Sequence, residues 1–221
     1  MEKVSLTTKD GVSVVADYYA PREQSPNGVL LVHMMPATRV SWHTFAPELE
    51  ERGYHVLAID LRGHGESTGG PEGYKQFTDE EHQKSIIDLE AAAEFLAKKG
   101  VDNKHLSLVG ASIGANLALE YGALHTPKNI ILLSPGLNYH GIAAQPFMKQ
   151  LGHGTRVFFV TSEDDERSDG NDAEMSHLLF DSIPDAVEKK IIVYKEAGHG
   201  TDMFEKEEPD LAEEIFLWLT G

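Results

Sequence analysis

Strand-length apolar runs alternate with helical stretches along most of this chain, and that alternation leaves few folds open. Residues 29–32 (Val29-Leu30-Leu31-Val32) form a continuous apolar run, as expected of a strand buried on both faces. Residues 55–61, 106–109, 130–133, 157–160 and 191–194 read as further strands. Helices are expected over 41–52, 78–99, 113–125, 173–183 and 209–219. Ser41 is the candidate cap of the first and Gly53 its stop. In the longest helix Thr78 can cap, Glu81 sits at the capping-box position, and Ile86, Leu89, Ala93 and Leu96 share one face. Residues 4–7 and 12–19 are β-rich and flank Asp10-Gly11, a turn signal that predicts an opening hairpin. A hairpin followed by repeated β-α units implies a mostly parallel sheet of eight strands with helices on both faces.

Composition narrows the chemistry. The chain has 221 residues, enough for one α/β domain, and neither a repeat nor a linker divides it, so 1–221 reads as a single domain. It contains no cysteine, which excludes a disulfide framework, a cysteine nucleophile and thiolate metal sites. Nineteen basic against 36 acidic residues give a net charge of −17, which argues against a nucleic-acid partner. The first ten residues lack the apolar core of a signal peptide. No apolar run approaches the ~20 residues of a membrane span, so no membrane association and a cytoplasmic location are expected. The 11 histidines lack ligand spacing, and neither H-E-x-x-H nor a Walker A sequence occurs, so neither metal nor cofactor is expected.

In an open α/β sheet, ligands bind at the carboxyl ends of the strands, so chemistry is sought just after each one. The string G-x-S-x-G occurs twice, as Gly65-Glu66-Ser67-Thr68-Gly69 and Gly110-Ala111-Ser112-Ile113-Gly114. A nucleophile elbow needs a strand before it and a helix after it. Residues 106–109 precede Ser112, and Ala115-Asn116-Leu117-Ala118-Leu119-Glu120 follows it. Ser67 is followed by Gly69-Gly70-Pro71, which cannot continue a helix. Ser112 is therefore the candidate nucleophile. A serine needs a base, and the base an orienting acid. His199, between Gly198 and Gly200 just past the last predicted strand, is the candidate base. Glu163, Asp164, Asp165 and Glu166 follow the preceding strand and supply candidate acids.

Taken together, Ser112, the 163–166 cluster and His199, in that order, resemble the α/β-hydrolase superfamily over nearly the whole chain. In that family the acid's usual register falls on Asp165, with Asp164 beside it. Asp60-Leu61-Arg62-Gly63-His64-Gly65-Glu66-Ser67 is similar to the family's D-x-R-G-x-G-x-S turn, which makes Ser67 structural and gives His64 a loop-ordering role. His33-Met34-Met35-Pro36 stands where the family's oxyanion loop reads H-G-x-P, with Met34 in place of glycine. The resemblance implies an oxyanion hole built from the backbone N–H groups of Met35 and Ile113. Members with aspartate in the elbow are dehalogenases and epoxide hydrolases; serine fits esterases, thioesterases and acyltransferases.

Many relatives carry a large cap between the sixth strand and the acid strand. Here residues 134–156 leave room for little or no cap, at most a short helix near 146–151. Met34, Tyr139, His140 and Phe147 are the candidate pocket residues. The expected activity is hydrolysis of small carboxylic esters of short to medium acyl chain through an acyl-enzyme. The same groups would serve a thioesterase or acyltransferase, and the scaffold alone would serve a non-catalytic binding protein.

Overall fold

The computed structural model describes residues 1–168, 170–205 and 210–221. Strands β1 (Glu2–Thr7) and β2 (Ser13–Tyr19) form the opening antiparallel hairpin, with the Gly11 N–H donating to the Thr8 carbonyl at 2.9 Å in its turn. Six further strands complete the sheet: β3 (Gly28–Val32), β4 (His55–Ile59), β5 (Leu106–Ala111), β6 (Asn129–Leu133), β7 (Arg156–Ser162) and β8 (Lys189–Tyr194). Their order is β1-β2-β4-β3-β5-β6-β7-β8. β2 pairs antiparallel with β4, and every pairing from β4 to β8 is parallel.

Seven helices flank the strands among the described residues: α1 (Phe45–Glu51), α2 (Asp79–Gln83), α3 (Ile86–Lys98), α4 (Ile113–His125), α5 (Ala144–Met148), α6 (Asp172–Ser182) and α7 (Leu211–Thr220). Within β3, Leu30 and Val32 belong to the core shared with α3, α4 and α6, whereas Val29 and Leu31 belong to the core shared with Trp42, Phe45, Leu49 and α7. Successive side chains therefore enter opposite cores, which is why the strand is apolar without alternation. All four are fully buried, and each contributes about 1.5–3 kcal/mol by leaving water.

Two expected helices are corrected. The helix over 78–99 is two, α2 and α3. Thr78 and Glu81 do form the reciprocal capping box. At Lys84 and Ser85 the hydrogen bonds tighten to i→i−3, with Ser85, Ile87 and Asp88 N–H bonding His82, Lys84 and Ser85 carbonyls. The offset seats Asp88, fully buried in the first turn of α3, against the Arg62 guanidinium and backbone N–H. The helix over 41–52 starts later. Thr38 caps a 3-10 turn, Arg39–Trp42, and α1 begins at Phe45 with Pro47 in its first turn, where no N–H is needed. The expected helix over 209–219 is α7, capped by Asp210; Pro209 lies outside the described residues.

The interval between β6 and β7 is a flap without a cap domain. Two short strands, Asn138–Tyr139 and Ile142–Ala143, pair around a turn in which His140 (φ +50°) and Gly141 (φ +80°) are both left-handed. The Asn116 amide ties this flap to α4 by donating to the Gly136 and Ile142 carbonyls at 3.0 and 2.9 Å. The helix expected near 146–151 is α5, which begins earlier, at Ala144.

Candidate active site

Ser112 stands between β5 and α4 with φ +55° and ψ −120°, a backbone shape that side chains other than glycine resist. The surrounding chain holds it there. Its N–H donates to the Leu133 carbonyl at 2.8 Å, and its own carbonyl accepts from Ala115 and Asn116. The two glycines of the motif permit the turn by close approach. A Cβ on Gly110 would lie 2.1 Å from the Gly114 carbonyl oxygen, and one on Gly114 would lie 2.5 Å from that of Val32. The turn lifts Ser112 to the carboxyl end of the sheet, with 8% of its surface exposed.

His199 follows β8, and Asp165 follows β7. The imidazole Nδ1 and the Asp165 Oδ2 are 2.6 Å apart, both side chains nearly buried. Of the four carboxylates at 163–166, the one bonded to His199 is that of Asp165. Asp164 does different work: it accepts the Ser162 hydroxyl and the N–H groups of Ala197 and Gly198, both at 3.1 Å. Those donors hold its carboxyl below the ordinary range. Asp164 thus clamps the histidine loop while Asp165 meets the ring. The loop also lies against the serine turn. A Cβ on Gly200 would sit 3.3 Å from that of Ala111 and 2.7 Å from the Met34 sulfur.

Met34 therefore packs against the loop of His199, and the Thr201 hydroxyl reaches its sulfur at 3.8 Å. Ile113 is the first residue of α4, so its N–H lacks a helical partner. Among the described residues no protein acceptor takes the N–H of Ile113 or of Met35. The other predicted pocket residues sit in the flap. Tyr139 is half-buried, its hydroxyl 3.4 Å from the Ser134 carbonyl. His140 stacks on His82 with ring centroids 4.2 Å apart and comes within 3.9 Å of Asp79. Phe147 lines a hollow of about 150 Å³ with Gln83 and Glu120. The flap tip thus docks on α2.

Ser67 is tied into structure: its hydroxyl donates to the Asp60 carbonyl at 2.7 Å and accepts from the Val15 N–H at 2.9 Å. His64 donates from Nδ1 to the Arg62 carbonyl and stacks on Tyr74 at 4.1 Å. Burial holds its imidazole down at about 3, and that of neighbouring His33 at about 4, so both are neutral.

Four residues outside the sequence-based set complete the surroundings. The Arg39 guanidinium joins Asp17, Asp60 and Glu66 beneath the loop after β3. Ser134, after β6 with φ +51°, accepts the Gly200 N–H at 2.9 Å. Asp172, fully buried in the first turn of α6, accepts the Thr161 hydroxyl, donates its N–H to the Asp165 carbonyl at 2.9 Å, and faces the Ser134 hydroxyl. Its Oδ1 lacks a hydrogen-bond partner, and burial pushes the carboxyl up to about 7. Arg167 places its Nε 2.9 Å from Asp165 Oδ1. A serine ending a strand before Pro135-Gly136 was a readable signal for Ser134; the other three are single charges whose partners lie elsewhere in the chain.

The family model described as alpha/beta hydrolase fold matches residues 27–160, more than half of the chain. The chain belongs to the alpha/beta hydrolase family. Among curated relatives of this family, bifunctional epoxide hydrolase 2 of Rattus norvegicus is 24% identical, over 91% of this chain and 39% of that protein. A serine hydrolase-like protein of Dictyostelium discoideum is 30% identical, over 60% of this chain and 34% of that protein. The chain thus spans only between a third and two fifths of the length of these relatives. An esterase from Exiguobacterium antarcticum superposes with a TM-score of 0.76 at 14% identity, covering 100% of both chains. That likeness speaks to the family fold. Among the described residues no helix is long and apolar enough to cross a membrane.

Proposed function

We propose that residues 1–221 form a single catalytic unit that hydrolyses small carboxylic esters through an acyl-enzyme. The observation that carries this is the 2.6 Å bond between His199 and Asp165 beside a serine held at φ +55° on a strand-to-helix turn. In this reading Ser112 attacks the ester carbonyl. His199 takes the hydroxyl proton and returns it to the leaving alcohol. Asp165 accepts a hydrogen bond from the Nδ1–H, which leaves Nε2 as the base, and as a carboxylate offsets the imidazolium charge. The Met35 and Ile113 N–H groups stabilise the oxyanion; one such donor is worth about 10²–10³ in rate. Water then attacks the acyl-enzyme, His199 takes its proton and returns it to the Ser112 Oγ, and the bond from Oγ to the acyl carbon breaks to release the acid.

Serine at the elbow separates this chain from family members whose elbow is aspartate, and so favours ester over epoxide chemistry despite the epoxide hydrolase relative. The flap, two dipeptide strands and the five residues of α5, leaves no long lid helix and supports preference for short or medium acyl chains. Fluorophosphonate labelling tests the reading. We expect one covalent adduct, on Ser112, together with turnover of p-nitrophenyl butyrate, both lost in Ser112→Ala. A protein that folds but neither labels nor turns over esters would be a binding protein on this scaffold.

A further inference from the structure

Among the described residues two groups face the Asp165 carboxylate, one on each oxygen. His199 holds Oδ2 at 2.6 Å; the Arg167 guanidinium holds Oδ1 at 2.9 Å. The acid is buried, whereas the arginine side chain is 38% exposed. Arg167 is placed by a miniature hairpin in which Glu166 and Arg167 pair with Asn171 and Gly170. That hairpin is itself anchored: the Asn171 amide donates to the Glu163 carbonyl and to Glu166 at 2.9 and 3.0 Å, and the Asp172 N–H donates to the Asp165 carbonyl.

We propose that Arg167 is a positioning residue for the Asp165–His199 pair, fixing the second oxygen of the acid and setting, by its charge, the pH at which His199 takes up a proton. This rests on the reading of that pair as the acid and base of the site. A carboxylate with only one partner can rotate about its last torsion; a second partner on the opposite oxygen holds it in the plane that meets Nδ1. A fixed cation beside the acid also opposes the pull that the acid exerts on an imidazolium proton. The effect matters here because the segments that bring the pair together carry mostly acidic side chains, with Lys195 the other cation among them. Glu163, Asp164 and Glu166 come from the loop after β7, Asp172 from α6, and Glu196 and Asp202 from the segments on either side of His199, Asp202 packing against Gly198. Removing Arg167 takes a cation away from the far side of the carboxylate, which favours the protonated ring.

The test is a histidine titration by NMR on wild type and on Arg167→Lys, Arg167→Gln and Arg167→Glu, with His199→Gln to assign the resonance. Arg167→Gln is expected to raise the His199 midpoint by about one pH unit, the size of one charge on the far side of the carboxylate from the ring at a half-exposed position. Arg167→Glu should move it further the same way, and Arg167→Lys should restore most of it. The acidic limb of kcat/KM should follow each shift. Two charge-removing variants with the same expected sign mean that misfolding of one leaves the other to decide. A His199 midpoint in a folded Gln or Glu variant within about 0.2 unit of wild type would overturn the proposal. The titration needs no turnover. If the midpoint moves while Ser112 fails to label, the charge role of Arg167 stands and the hydrolase reading is what fails.

Discussion

Replacing Asp172 with asparagine removes a buried proton-binding group, and the pH dependence of stability should change with it. The Asp172 carboxyl is fully buried; one oxygen accepts the Thr161 hydroxyl, and the Ser134 hydroxyl faces the carboxyl without a well-formed hydrogen bond to the other. Burial, helped by the nearby Asp165 charge, raises its pKa from 3.8 to about 7 against the opposing pull of the Thr161 and Ser134 hydroxyls and of Arg167. Because the folded value lies above the unfolded one, the folded chain keeps a proton that the unfolded chain has lost over roughly pH 4–7. This contribution to stability is fully present below about pH 4 and is lost as pH rises through about 7. Integrated from pH 5 to pH 8, the loss is about 2–3 kcal/mol. For a chain of this size that corresponds to about 5–10 °C in Tm.

Asparagine keeps an acceptor for Thr161 and does not titrate. The assay is urea unfolding of wild type and Asp172→Asn at pH 5, 6, 7 and 8, read as the difference between the two proteins. The subtraction matters because His33 and His64 act with the opposite sign. Their folded values of about 4 and about 3 lie below the ordinary 6.5, so their contribution is present above 6.5 and lost as pH falls. Both proteins share that slope. Asp172→Asn should gain on wild type steadily from pH 5 to 8. A difference constant to within about 0.5 kcal/mol over that range would refute the buried-acid account.

Ser112→Ala is expected to lower ester turnover by about 10⁶, measured with p-nitrophenyl butyrate. Ser67→Ala should keep at least about a tenth of the rate yet lose about 1–3 kcal/mol in urea unfolding, because the Val15 N–H loses its acceptor. Asp165→Asn should cost about 10⁴ in kcat. Asp164→Asn should cost far less, since an amide oxygen still accepts from Ala197 and Gly198; the reverse ranking would mean that the wrong carboxylate has been paired with the base. Rate against substrate concentration should cross the solubility limit of p-nitrophenyl esters without a lag or jump, as the flap holds no long helix to open. A sharp rise on emulsified palmitate with little activity on dissolved butyrate would count against it.

The strands of the sheet were legible because their signals are local, although several end up to two residues from the expected bounds. Apolar runs marked all eight strands, and a glycine-flanked serine between a strand and a helix marked the turn at Ser112. Long-range partners broke the local rules. Periodicity could not divide α2 from α3, since the cause is Asp88 reaching Arg62, 26 residues away in sequence. His140 was legible as a flap residue, but its direction was not: a left-handed turn at His140 and Gly141 sends the ring onto α2. Arg167 and Asp172 flank an acidic cluster whose bland reading is a solvated loop, and composition cannot distinguish a carboxylate that faces water from one that is fully buried.

Which acid meets His199 is decided by sheet register. β8 pairs with β7 so that Tyr194 stands opposite Ser162, and the ladder runs one bond further, from the Glu163 N–H to the Tyr194 carbonyl at 2.9 Å. The chain then turns. Asp164 is the first carboxylate past that bond, and its short side chain reaches the N–H groups of Ala197 and Gly198 at the base of the histidine loop. Asp165 comes one residue later, held by the bond from its carbonyl to the Asp172 N–H, and is directed at the ring. A one-residue slip of β7 against β8 would exchange these two roles and turn every β7 side chain to the opposite core. Phe158 and Phe159 are both fully buried and belong to opposite cores, Phe158 beside Trp218 and Phe159 beside Phe180. The same aromatic packing that fixes the strand thus fixes the acid, which ties the geometry of the site to the core on both faces of the sheet.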